Sequence, residues 1–169
     1  MSATDGVADA VVVAVDASDA SVAGLRWGVD EAARRSVPLT VVHVIPAVPN
    51  QAFLGYPESR GVARTELELA LLGLRRTIAA ETSRAGHPEL RTHAVVLVGD
   101  VVAELVNVSR DAAMLVVTAH NGPVHRMILG SVCRAVVARA RCPVVVVHPR
   151  EKAVGGPVDR QHPTVRVAP

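Results

Sequence analysis

AVVVAVDASDASVAGLRWGVDEAARRSVPLTVVHVI, residues 10–45, decides the fold. Its first part, Ala10–Val15, is a short β-branched apolar run that stops at Asp16. A run hydrophobic on both faces suits a strand covered by helices on both sides. Ser18 or Asp19 can cap a helix beginning near Ala20, with Val22, Leu25, Val29 and Ala32 at helical spacing. Arg34 and Arg35 suit the negative end of that helix. Pro38 then precedes Leu39–Ile45, a second buried strand. Strand, helix, strand is a parallel crossover.

The same alternation runs on. Residues 46–60 carry Pro46, Pro49, Gly55 and Pro57 and read as a loop. A helix is expected over about Val62 to Ala85, with Leu67, Leu71, Leu74 and Ile78 on one face and Gly86 and Pro88 after it. Thr92–Val98 is a third strand, and Gly99–Asp100 opens a third helix through about Asp111, with Val102, Leu105 and Val106 inward. Ala113–Thr118 is a fourth strand, and Ala119–Leu129 a loop. Ser131 caps a fourth helix to about Arg141, and Val144–His148 is a fifth strand after Pro143. The expectation is an α/β fold of flavodoxin-like type, a five-stranded parallel sheet with helices on both faces in a three-layer sandwich. Residues 1–149 form the domain. Residues 150–169, with Gly155, Gly156, Pro157 and Pro163, read as a C-terminal tail outside the fold.

Composition bounds the function. A chain of 169 residues, half hydrophobic and one-fifth charged, folds as one domain. One Trp, one Tyr and one Phe leave no aromatic platform for stacking bases, and a net charge of +2 suggests neither a nucleic-acid nor a membrane partner. Charge is uneven: residues 1–25 sum to −4 and residues 120–169 to +6. Either the C-terminal part faces an anion or it carries a solvated basic face. Cys133 and Cys142 make no metal quartet and read as structural thiols. Without a cationic leader or a run of about 20 apolar residues, the chain is expected to be soluble and cytoplasmic.

In such a sheet, ligands bind beyond the carboxyl ends of the strands where the winding reverses. Three segments converge there: Asp16, the end of strand two at His43–Ile45, and the loop TAHNGPVHRMILGS, residues 118–131. Gly130 permits close approach of a phosphate, and Ser131 offers a hydroxyl and an amide at a helix start. The pair also suits an ordinary turn and cap. Asp16 can accept from a base amine or a sugar hydroxyl, or cap the following helix. His43 reads as a satisfied core residue. His120 and His125 lack acidic companions and read as phosphate donors or plain loop residues, with no metal expected. No GxxxxGK[ST], GxGxxG or GxSxG pattern occurs. With no nucleophile–base pair in view, at most slow hydrolysis is expected, with Asp16 as its base.

Three segments together resemble the universal stress protein family: residues 11–45, GDVVAELVNVSRDAAMLVV (99–117) and LGSVCRAVVARARCPVVVV (129–147). The resemblance covers Ala10 to His148 and implies a five-stranded parallel sandwich, a stress-response role and a homodimer pairing through the last strand, Val144 to His148. Family members that bind ATP carry Gly-x2-Gly-x9-Gly-[Ser/Thr] after strand four, and others bind no nucleotide. Carried onto this chain, the resemblance implies a nucleotide site of Ala14, Asp16, Val44, Thr118, His120, Asn121, Gly122, Gly130, Ser131 and Val132. The ligand would be ATP or another adenine nucleotide, with any Mg²⁺ carried on its phosphates. Thr118 and Asn121 stand where the first two glycines would be, and the gap to Gly130 is one residue short. Thr tolerates a positive φ poorly, and Gly122 is able to restore flexibility one position later. A dimeric scaffold or regulatory partner without nucleotide is the alternative these departures motivate.

Overall fold

The computed structural model describes residues 6–16, 18–47, 64–119 and 130–149, and the backbone of 165–168. Its elements in order are β1 (Val11–Val15), α1 (Asp19–Arg35), β2 (Leu39–Pro46), α2 (Arg64–Arg84), β3 (Thr92–Gly99), α3 (Val101–Val108), β4 (Met114–Thr118), α4 (Ser131–Arg139), β5 (Val144–Val147) and β6 (Val165–Ala168). The sheet order is β3-β2-β1-β4-β5-β6. The first five strands are mutually parallel, as the crossover pattern requires. One feature departs from the sequence reading. Residues 165–168, expected in a tail outside the fold, pair antiparallel with β5. A four-residue strand with no helix after it leaves no crossover signal in the sequence.

Alternation along the strands divides the core into two layers. Val11, Val13, Val41, Met114 and Val116 pack with Leu25, Val29 and Ala32 of α1 and with Leu74 and Ile78 of α2. Val12, Val42, Val44, Leu115 and Val117 pack on the opposite face with Leu105 and Val108 of α3 and with Cys133 and Val136 of α4. Burying each such aliphatic side chain contributes about 1.5–3 kcal/mol, so an aromatic-poor chain still has an adequate core.

α1 lies close against its face of the sheet because two of its buried residues are glycines. A methyl at Gly28 would run into Val13, and one at Gly24 into Thr118 Oγ1. Both glycines lie beside the apolar positions that the periodicity picks out, and only the packing reveals their purpose. The helix ends at Ser36, whose left-handed backbone (φ 56°) returns its N–H to the carbonyls of Ala32 and Ala33. α2 is tied to α1 by Glu81, whose carboxylate accepts from Arg26 Nε at 2.9 Å and from Arg84 Nε at 2.6 Å. Burial pushes the Glu81 carboxyl up, but the two guanidinium hydrogen bonds outweigh it and hold its pKa below the ordinary value.

Candidate functional site

The ladders open at the point where winding reverses. β1 stays in register with β2 as far as Val15↔His43, yet its pairing with β4 stops at Val13↔Val116. Beyond that rung the ends of β1 and β4 part. The gap continues into a cavity of about 450 Å³ bounded by the ends of β1, β2 and β4 and by the first turns of α3 and α4.

Of the residues singled out in the sequence, Ala14, Asp16, Val44, Thr118, Gly130, Ser131 and Val132 all line this cavity. His120, Asn121 and Gly122 lie outside the described residues. Val42, Pro46, Val101, Leu105, Val117 and Cys133 complete an apolar floor that the motif reading did not include. Strand parity was the available signal for Val42 and Val117, since they share a face with Val44. Cys133 was legible only as a buried thiol.

The two rims differ in how they are satisfied. On one side Asp16 Oδ1 accepts from Ser18 N at 3.1 Å and from Ser18 Oγ at 2.6 Å. Ser18 Oγ in turn accepts from Ser21 N at 3.3 Å, so Ser18, not Asp19, caps α1. The carboxylate is thereby fixed at the end of β1. On the other side, the N-cap of α4 is Gly130, with no side-chain cap bond, and Ser131 is the first helical residue rather than the cap. No acidic side chain occupies that first turn. The partial positive charge of the helix start therefore lies at the cavity rim with no acid of its own first turn against it.

Thr118 does not block the opening. Its side chain turns to the α1 face, where Oγ1 is buried against Gly24 without a hydrogen-bond partner among the described residues. Its carbonyl accepts from Cys133 Sγ at 3.4 Å, joining the end of β4 to the first turn of α4. Burial pushes the Cys133 thiol up, and the charge of Asp16, on the same cavity, pushes it further. His43 is satisfied as expected: Nδ1 donates to Val15 O at 3.0 Å. That bond places the ring proton on Nδ1. Among the described residues no three His, Cys, Asp or Glu side chains gather as a metal site, and no helix is long and apolar enough to cross a membrane.

The fold agrees with comparisons to known proteins. Residues 8–148 match the model of the universal stress protein family. A universal stress protein of Mycobacterium tuberculosis is 35% identical over 159 residues, covering 93% of this chain and 52% of that one. A second from the same organism is 30% identical over 152 residues, covering 87% of this chain and 50% of its own length. The chain thus spans about half the length of these curated relatives. Among solved structures, a universal stress protein from Archaeoglobus fulgidus in complex with dAMP superposes with a TM-score of 0.55 at 23% identity, over 83% of this chain and 98% of that one. Another universal stress protein, in complex with cAMP, gives 0.58 at 24% identity over 85% and 98%. At these identities the structures speak to the fold, and the family match covers nearly all of it: the chain belongs to the universal stress protein family.

Proposed function

We propose that this chain is a stress-response protein of the cytoplasm that binds ATP or another adenine nucleotide in the cleft at the switch point. The observation carrying this reading is the pairing of an apolar cavity of about 450 Å³ with a helix start on its rim whose cap is a glycine. Small-molecule sites have this size and this mixture of apolar wall and few polar groups. Relatives of the same fold that hold dAMP and cAMP support it.

In this reading the base and ribose lie between Asp16 and the backbone at Val44, with Ala14 beneath. The amides of Gly130, Ser131 and Val132 receive the phosphates, where the α4 dipole favours negative charge. His120, Asn121 and Gly122 contribute from the intervening loop, and Thr118 acts through its backbone. Mg²⁺ enters only as the companion of the phosphates. Two copies meet along Val144 to His148. Isothermal titration with ATP, ADP and AMP, together with mass spectrometry of the protein as purified, tests the cleft. Binding at micromolar to millimolar concentration is the expected result, and no heat up to millimolar ATP defeats the reading. That second result would favour the dimeric scaffold suggested by Thr118 and Asn121.

A further inference from the structure

We propose that β6 is an intramolecular cap on the outer edge of β5, competing with a second copy of the chain for that edge. The proposal rests on the preceding reading of Val144 to His148 as the seam between copies. Four rungs, Val144↔Ala168, Val145↔Val167, Val146↔Arg166 and Val147↔Val165, occupy every residue of β5. No rung is left for an incoming strand. β5 itself is VVVV, buried, with no proline, charge or bulge to discourage pairing. An edge of that kind is a template for any strand, and covering it is one of the ways proteins protect it.

The connection between the two strands is longer than their pairing requires. Antiparallel neighbours need only a two-residue turn, whereas residues 148–164 intervene here. Four rungs at a sheet edge are a modest hold. A second copy offering its own β5 is therefore able to compete at attainable concentrations, and whatever lifts β6 exposes the seam. β6 also lies outside residues 8–148, the part matched by the family, so perturbing it leaves the parallel sheet intact.

The test uses the full chain in two opposed variants, compared with the wild type by sedimentation equilibrium. V145C/V167C places cysteines at directly opposed positions, within the Cα separation that a disulfide spans. R166P/V167P removes one ladder amide whichever of the two neighbours faces β5, because strand amides alternate. The oxidised V145C/V167C chain should stay monomeric at every concentration, with self-association returning on reduction. R166P/V167P should dimerise at least tenfold more tightly than the wild type. Failure of the disulfide to close overturns the proposal, because β6 then does not sit on β5. Self-association that ignores both variants overturns it too, placing the seam elsewhere, as does the absence of dimers in every form. ATP titrations on the same samples should agree within twofold, so a failed cleft reading shows itself separately from a failed cap.

Discussion

α1 and α4 both begin at the mouth of the same cavity, and they begin differently. α1 is closed by its own sequence: Ser18 caps it, and Asp16 holds Ser18 by two hydrogen bonds. α4 starts at a glycine with no side-chain cap and no acid in its first turn. A helix start that satisfies itself is architecture. One that leaves its amides facing a cavity has donors to offer a ligand. The contrast extends to packing, since α1 presses its glycines into the sheet while α4 leaves room beside Cys133 and Leu105 for a cleft.

The largest effect is expected where α1 meets the end of β4. Gly24→Ala would drive a methyl into Thr118 Oγ1. Overpacking of this kind should cost about 2 kcal/mol net, even after alanine returns up to about 1 kcal/mol of helix propensity. Thr118→Ala in the same chain removes the obstructing atom together with a hydroxyl that has no partner among the described residues. The double variant should therefore recover most of the loss in urea unfolding. If the two changes merely add, Gly24 and Thr118 are not the coupled pair described here.

This coupling also marks the limit of what the sequence discloses. Aliphatic runs with helices between them are local signals, so Ala10–Val15 and Val144–His148 could be read as strands and the winding followed from them. Asp16, Gly130 and Ser131 were legible because they sit at strand ends and helix starts, where chemistry and spacing coincide. The purpose of Gly24 was hidden, since its partner lies across the sheet at Thr118. Whether Thr118 enters the cleft depends on strand parity relative to α1, which the motif alignment does not encode. β6 was missed because four residues beyond a Gly- and Pro-containing stretch carry no period long enough to read.

The next effect turns α4 into a copy of α1. Gly130 has φ −55°, and among the described residues nothing lies within 4 Å of where a Cβ would stand, so Gly130→Asp fits the backbone without strain. Aspartate there caps the helix, adding a few tenths of a kcal/mol to stability at most. It also sets a fixed negative charge where the phosphates would bind. ATP affinity should fall at least tenfold, about 1.4 kcal/mol, while thermal stability holds or rises slightly. Unchanged affinity in the calorimeter would mean that the open helix start has no part in binding, and the contrast with α1 would lose its functional meaning.

The smallest effect probes whether the two rims sense each other across the cavity. Asp16 raises the Cys133 pKa through its charge, second to burial, whereas burial alone raises that of Cys142. Replacing Asp16 by Asn removes the charge and keeps a side chain able to accept from Ser18. The Cys133 pKa then moves down toward its ordinary value. At a fixed pH below that pKa, the thiolate fraction increases and alkylation by iodoacetamide speeds up, by about twofold. Cys142 serves as the internal reference, because Asp16 is not among the causes of its shift. Peptide mapping of both cysteines over time reads the ratio directly. A faster Cys133 against a steady Cys142 places the β1 carboxylate in electrical contact with the α4 start, the relation a ligand spanning the two rims requires. Equal rates in both variants would separate the rims, leaving Asp16 as the anchor of α1 alone.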